Sequence, residues 1–292
     1  PLTCPCEPCK GKISLKRLDN LFICENINCE HNKIENGFQI INSIPVIISE
    51  IKTDTICTKN SFKTYVERPL VKFTSIKKFI IGESNTTRKN CDKFIENLFL
   101  KNKNPKVLII GGAEKGSGAE NLWNNEKIEI HSLDIYASEN VDIICDSHYL
   151  CLEDGYYDGV WIQAVLEHVV EPIVVVNEIY RVLNFNGIVY AETPFMQQVH
   201  EGAYDFTRYT VLGHRYLFKK FKQIEIGGNN GPEVVFAWSI RYLIWSLFRS
   251  KELARVVALF IGLILRPLKL ITSKKSMYDA SSGVFFLGSK VD

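Results

Sequence analysis

Residues 106–134 read KVLIIGGAEKGSGAENLWNNEKIEIHSLD, and this stretch decides the fold. An apolar strand over residues 107–110 runs directly into a loop that carries four glycines. A second strand over residues 128–133 ends in a lone acid, Asp134. In α/β folds this order holds the adenosine half of a cofactor, because glycines let the backbone approach the ligand and the acid accepts ribose hydroxyls. The stretch therefore predicts an α/β domain that binds an adenosine-bearing cofactor.

Strands and helices continue to alternate after this stretch. Strands are predicted over residues 141–145, 159–163 and 188–191, and a helix over residues 172–183. Such alternation favours a doubly wound, parallel sheet, in which the ligand lies beyond the carboxyl ends of the strands. A last strand is expected only at residues 283–290. The first four strands would deliver these residues to one edge: Gly111, Asp134, Asp146 and Gln163.

Six ordered motifs run through this region of the chain. They are VLIIGG (107–112), LDIY (133–136), CDSHYLCLEDGYYDGVW (145–161), AVLEHVVEP (164–172), NEIYRVLNFNGIVYAETP (177–194) and FMQQVHEGAYDFTRYT (195–210). In combination they resemble the class I S-adenosylmethionine-dependent methyltransferases, specifically the type 11 group. The resemblance implies a doubly wound, mostly parallel methyltransferase sheet of seven strands, with S-adenosylmethionine as the cofactor.

The resemblance also implies roles for single residues at the cofactor edge. Backbone around the first two loop glycines would face the methionine part, and Asp134 would bind the ribose. Asp146 would border the adenine, and Gln163 would line the floor beside the sulfonium. One departure is Ile109, which stands where many relatives carry an acid. The implied cofactor residues are Gly111, Gly112, Ala113, Gly116, Asp134, Ile135, Asp146, Ser147, Gln163 and Ala164.

Methyl transfer from a sulfonium is an in-line displacement. The protein mainly aligns the acceptor with the methyl group and removes a proton when the acceptor is a hydroxyl. His168 follows the fourth strand and His200 follows the fifth, and Asp205 could orient His200. The surrounding loop predicts an acceptor-binding surface with Gln197, Tyr204 and Arg208. In the alternative, Asp205 and Arg208 only brace a helix predicted over residues 207–218.

Five of the nine cysteines fall within the first 29 residues, and no signal peptide pattern precedes them, which predicts a reducing cytoplasm. In that compartment clustered thiols suggest a metal rather than disulfides. The two pairs are Cys6-x-x-Cys9 and Cys24-x4-Cys29. Four thiolates on two tight turns predict a closed, structural zinc site in a ribbon over residues 1–50. Cys4 could replace Cys6, and His31 could replace Cys29. The segment resembles zinc-ribbon modules at the N-terminus of some methyltransferases.

A basic helical insertion is predicted before the last strand. Residues 232–276 hold eight Lys and Arg residues against two acids, a net charge of +6. The longest uncharged run has ten residues, too short to span a bilayer. The insertion could lie in a membrane interface, or pack on the core or on a second subunit. The predicted divisions are a ribbon (1–50), a connector with a helix over residues 86–100 (51–102), the methyltransferase core (103–231), the insertion (232–278) and the final strand (279–292).

Three functions follow from these patterns. The first is O-methylation of a sugar or glycan hydroxyl, lipid-linked and part of surface-polysaccharide biosynthesis, in the cytoplasm or at the inner face of the membrane. This substrate rests on analogy with similar methyltransferases. The second is methylation of ribosomal RNA guanine, but residues 1–50 carry five Lys and Arg against six acids and make a poor phosphate-binding surface. The third is a non-catalytic interaction protein.

Overall fold

The computed structural model describes residues 2–51, 53, 55, 57, 85–199, 204–265, 267–268, 271 and 273–291. Within these residues eleven strands lie side by side in the order β1-β2-β3-β4-β7-β6-β5-β8-β9-β11-β10. The strands are β1 (Leu15–Leu18), β2 (Leu21–Cys24), β3 (Phe38–Ile41), β4 (Ile44–Ile47), β5 (Lys106–Ile110), β6 (Glu129–Asp134), β7 (Ile143–Cys145), β8 (Tyr157–Gln163), β9 (Leu183–Pro194), β10 (Phe221–Asn229) and β11 (Gly283–Lys290). The helices are α1 (Asn85–Phe99), α2 (Glu120–Trp123), α3 (Pro172–Val182), α4 (Val211–Leu217), α5 (Pro232–Phe248), α6 (Lys251–Leu265) and α7 (Lys274–Ala280).

The sheet confirms the α/β prediction but not the predicted strand number. Strands β4 to β9 are parallel neighbours, whereas the ribbon strands and the β9-β11-β10 end are antiparallel. The expected seven-stranded, mostly parallel sheet is therefore wrong, because the ribbon is continuous with it. β4 pairs in parallel with β7 through Val46↔Ile144 and Ile47↔Cys145.

Apolar packing explains why the ribbon joins at β7. All three residues of this strand are buried, so its open side needs an apolar partner. β4 supplies one, since Val46 and Ile48 form a buried cluster with Val141 and Ile144. The ribbon and the core consequently share one layer.

Strand β10 is the strand of the core that the sequence patterns did not predict. It reads FKQIEIGGN, which offers neither an apolar run nor a helical period. Its glycines fit a close approach, because a Cβ on Gly227 would lie 2.9 Å from the Phe285 ring and one on Gly228 would lie 2.5 Å from the Met277 carbonyl oxygen. Pairing with β11, which lies between β9 and β10, holds the strand in place.

Aromatic packing fixes α1 across one face of the sheet. Phe94 meets Trp161 edge-on at 5.4 Å, and Trp161 stacks on Tyr190 at 4.1 Å. The N-terminal turn of α1 then lies over the carboxyl ends of β8 and β9. There a Cβ on Gly118 would come within 2.9 Å of Thr87.

Among the described residues of the insertion before β11, α5 and α6 pack along each other and α7 contacts β10. None of the helices in the described part of the chain combines the length and the apolar character needed to cross a bilayer.

Candidate active site and metal centre

The glycine-rich loop after β5 packs against the ends of two neighbouring strands. The Gly111 and Gly112 amides both donate to the Leu133 carbonyl oxygen, at 2.9 and 3.1 Å. Gly111 has φ of 80°, and a Cβ there would lie 2.2 Å from Val165. A Cβ on Gly116 would lie 2.1 Å from the Gln163 side chain. The positive φ of Gly111 favours glycine, and both close approaches place the loop backbone against the carboxyl edge of the sheet.

Asp134 ends β6 beside this loop, where the sequence predicted it. Its carboxylate accepts hydrogen bonds from the amides of Ala113 at 3.0 Å, Ile135 at 2.7 Å and Tyr136 at 3.1 Å. The acid therefore ties the glycine-rich loop to the next strand. It is half-buried at the edge where a cofactor ribose would lie.

Asp146 follows β7 and is more constrained than the sequence indicated. Its carboxylate accepts from the His148 amide at 2.9 Å, pairs with His148 Nδ1 at 2.7 Å, and accepts from the Thr55 hydroxyl. Burial opposes ionisation of Asp146, yet the bonds and charge of His148 hold its pKa below the ordinary value. Asp146 and the buried Ser147 thus form a preorganised wall on the predicted adenine side.

The end of β8 is strained at the predicted cofactor floor. Ala164 adopts φ of 55°, which a residue with a side chain rarely does, while its amide donates to the Glu192 carbonyl oxygen at 2.9 Å. Gln163 Nε2 donates to the Ser117 carbonyl oxygen at 3.2 Å. Strain of this kind is typical of functional sites.

His168 connects the end of β8 to the predicted acceptor-binding loop over residues 197–208, called the acceptor loop below. Its Nδ1 bonds to the Tyr204 carbonyl oxygen, and its Nε2 lies 3.6 Å from the Glu167 carboxylate. One ring nitrogen therefore holds the loop, and the other faces the Glu167 carboxylate. His200 lies outside the described residues.

Arg208 is the brace of the acceptor loop. Its guanidinium forms a bidentate pair with Asp205 and also donates to the carbonyl oxygens of Gln197, Gln198 and Thr207. A guanidinium has five N–H donors, and these five bonds occupy them all. Arg208 thus ties residues 197–198 to residues 205–208, whereas the alternative placed the brace on the helix that follows. Gln197 and Tyr204 meet Arg208 and His168 through their backbone carbonyl oxygens, and the Tyr204 side chain is 45% exposed.

Four cysteine sulfurs meet in the ribbon. Those of Cys4, Cys9, Cys24 and Cys29 lie within 4.8 Å of one another, and Cys4 and Cys29 are 3.8 Å apart. Four Zn–S bonds of ~2.3 Å in a tetrahedron separate the sulfurs by about 3.8 Å, so the cluster is compatible with a zinc module.

Cys4 takes the place that the primary prediction gave to Cys6, and the allowed replacement is the observed one. The Cys6 thiol instead donates to Ser49 Oγ at 3.0 Å. His31 does not replace Cys29, because its ring stacks on Phe38 at 4.3 Å and its Nε2 bonds to Ser49 Oγ at 2.7 Å. Both residues belong to the packing beneath the cluster.

Residues 119–191 match the family model described as a methyltransferase domain. The match begins just after the glycine-rich loop and ends within β9. The chain carries a methyltransferase domain. This agrees with the S-adenosylmethionine-dependent activity predicted from the motifs. No curated protein matches the sequence.

Several solved structures are similar to this methyltransferase. A SAM-dependent methyltransferase from Archaeoglobus fulgidus is 16% identical, with a TM-score of 0.45 over 75% of this chain and 100% of that one. Phosphoethanolamine N-methyltransferase 2 of Haemonchus contortus, in complex with S-adenosyl-L-methionine, is 17% identical, with a TM-score of 0.45 over 79% and 60%. The [4+2]-cyclase SpnF is 15% identical, with a TM-score of 0.44 over 70% and 80%.

Two carboxylates near the carboxyl edge of the sheet were not predicted from the sequence. Glu192 lies next to Gln163 in the sheet register, and its carboxylate accepts from the Tyr190 hydroxyl at 2.8 Å and the Thr87 hydroxyl at 2.9 Å. Burial raises its pKa. Glu167 is fully buried, and burial raises its pKa to about 8 despite the nearby charge of Arg208. The signal available in the sequence was an acid within a mostly apolar segment, AVLEHVV (164–170) for Glu167 and VYAETPF (189–195) for Glu192.

Glu167 predicts how stability depends on pH. The folded pKa is about 8 and the ordinary value is 4.5, so between these values the folded state holds a proton that the unfolded state has lost. The contribution of Glu167 to the free energy of unfolding should therefore be fully present below about pH 4.5. It should fall as pH rises to about 8, by up to about 1.4 kcal/mol per pH unit. Glu167→Gln cannot ionise and should flatten this part of the profile.

Urea unfolding at several pH values measures the effect. Glu153→Gln is the matched control, because Glu153 is exposed and should leave the profile unchanged. Equal slopes for Glu167→Gln and the unaltered enzyme would show that Glu167 is ionised in the folded state.

Proposed function

We propose that the enzyme O-methylates a hydroxyl of a sugar or glycan acceptor in surface-polysaccharide biosynthesis, in the cytoplasm. The observation that carries the proposal is Glu192, a carboxylate of raised pKa beside Gln163 at the carboxyl edge of the sheet. A hydroxyl acceptor must lose its proton during transfer, and a more basic carboxylate removes it more readily.

Each group at the edge has a task in this proposal. S-adenosylmethionine, when bound, supplies the methyl group on a sulfonium that is already a good leaving group. The glycine-rich loop and Asp134 hold the nucleoside, and the turned backbone at Ala164 shapes the floor. Glu192 takes the hydroxyl proton, while the Tyr190 and Thr87 hydroxyls keep its carboxylate oriented. Arg208 and His168 fix the loop that covers the acceptor.

We further propose that the four-sulfur cluster of the ribbon binds zinc. All four ligands come from the protein, which leaves no open position for a substrate, so the ion is structural. Asn26 Nδ2 lies 3.1 Å from Cys9 Sγ and supplies the kind of N–H···S bond that tunes and orients a ligand sulfur.

The acceptor is tested with surface glycans from cells of the source organism that lack the protein. Incubation with purified enzyme and S-adenosylmethionine should add methyl groups to sugar hydroxyls, as detected by mass spectrometry of the released glycans. Transfer to total RNA instead, with the glycans unmodified, would overturn the proposal.

Glu192→Gln tests the base. Turnover on the glycan should fall by about 10²–10⁴-fold, because the amide cannot take the proton. Affinity for S-adenosylhomocysteine should be retained, as calorimetry would show. Glu225→Gln is the control, since Glu225 lies on β10 and pairs with Lys93 of α1. Undiminished turnover in Glu192→Gln would move the base role to His168 or to His200.

A further inference from the structure

The helical hairpin, which we define as α5, α6 and the turn between them, has few buried residues. In α5 only Glu233 and Ala237 are buried, and in α6 only Ala254. Its large apolar side chains face outward instead. Six of them are Trp245 (39% exposed), Leu247 (65%), Phe248 (61%), Val256 (63%), Phe260 (63%) and Ile264 (58%). A surface of this kind needs an apolar partner outside the described part of the chain.

Charge decides which partner fits the helical hairpin. Its cations are Arg241, Arg249, Lys251 and Arg255. Its acids are the buried Glu233 and the exposed Glu252. The Lys251 ammonium lies 4.8 Å from the centre of the Trp245 ring. A cation beside an amphipathic aromatic ring is typical of helices that lie in a membrane interface. A second copy would bring cations against cations, whereas anionic headgroups complement them.

The helical hairpin lies against the acceptor loop. Gln198 Nε2 is 3.5 Å from Ser239 Oγ, and the Tyr242 hydroxyl donates to the Val199 carbonyl oxygen at 3.2 Å. Val199 is itself 59% exposed, and Met196 beside it is 42% exposed. The apolar surface thus continues from the hairpin to the mouth of the candidate site.

We propose that the helical hairpin inserts its apolar surface into an anionic membrane interface, so that the acceptor loop receives a lipid-carried acceptor. The membrane contact follows from the apolar surface, the cations and the loop contacts. Only the lipid-carried acceptor rests on the proposed glycan function.

Flotation of the full chain with vesicles tests the contact. The enzyme should float with vesicles of phosphatidylcholine and phosphatidylglycerol, and weakly with phosphatidylcholine alone. Lys251→Gln with Arg255→Gln should lower partitioning roughly 25-fold, at about fivefold for each lost cation near the surface. Phe248→Glu with Phe260→Glu should abolish it. Ile27→Glu is the matched control, because Ile27 is 82% exposed on the ribbon and should not affect flotation.

Calorimetry with S-adenosylhomocysteine verifies that every variant is folded. Failure of the unaltered enzyme to float, or equal flotation of the double Glu variant, overturns the proposal. Light scattering that shows a dimer, dissociated by the same double Glu variant, overturns it in favour of a second copy. Flotation without glycan methylation would contradict the proposed function alone.

Discussion

Replacing Cys4 with serine should release the metal of the ribbon, whereas replacing Cys6 with serine should leave it bound. Cys4 is one of the four sulfurs that meet, while the Cys6 thiol bonds to Ser49 and is not among them. Apparent binding free energies of structural zinc in small modules are about 10–16 kcal/mol, and they are also folding free energies, so losing a thiolate should unfold much of the ribbon. A serine hydroxyl at residue 6 can still donate to Ser49.

Plasma emission spectrometry of the two purified variants measures the metal directly. Cys6→Ser should retain the zinc content of the unaltered enzyme, and Cys4→Ser should hold far less. Limited proteolysis should then cut Cys4→Ser within residues 1–50 first. The reverse pattern, with zinc kept by Cys4→Ser and lost from Cys6→Ser, would return Cys6 to the ligand set.

Asp134→Ala should weaken the binding of S-adenosylhomocysteine by roughly a hundredfold or more. Hydrogen bonds to a charged group are worth about 1.5–3 kcal/mol each, and the ribose offers two hydroxyls. The variant also frees the Ala113 amide, so the glycine-rich loop loses its tie to β6. Isothermal titration calorimetry on the full chain measures the affinity.

Asp142→Asn separates the two contributions of Asp134. Asp142 also stabilises β6, because its carboxylate accepts a hydrogen bond from the Ser132 amide at 2.8 Å. Among the described residues its side chain makes no hydrogen bond to the glycine-rich loop. It should lower the melting temperature and leave cofactor affinity near its original value. If Asp134→Ala binds S-adenosylhomocysteine as tightly as the unaltered enzyme, the acid has been misassigned.

Much of the core was predictable because its signals are local. The helix predicted over residues 86–100 is α1 (Asn85–Phe99), since its apolar side chains recur at helical spacing. The apolar run before the glycine-rich loop is β5, and the last strand was placed at the observed bounds. In each case one segment carries its own periodicity or composition.

Features that depend on distant parts of the chain were not predictable. Strand β10 is held by β11, more than fifty residues later, and its own residues lack a strand pattern. The joining of β4 to β7 brings together residues about a hundred positions apart. The residues of β4 and of β7 carry no pattern that indicates this pairing, so the ribbon was predicted as a separate module.

The sites show the same division. The cofactor edge follows from strand ends and one acid, which sequence order reveals. The choice between Cys4 and Cys6 depends on Ser49, which occupies the Cys6 thiol from 43 residues away. Burial in the folded state is the main cause of the raised pKa values of Glu192 and Glu167. The spacing of residues in the sequence predicts neither the Cys6–Ser49 bond nor the burial of the two acids.

The shared layer of ribbon and core also bears on how the enzyme avoids association with its own kind. A core that ended at β7 would present an open edge of three apolar residues, which invites pairing with a strand of another molecule. The ribbon moves that edge outward to β1, a strand of four residues whose Lys16 and Arg17 are exposed. Short, charged edge strands resist such pairing. The ribbon therefore acts as a guard against aggregation, whatever else it binds.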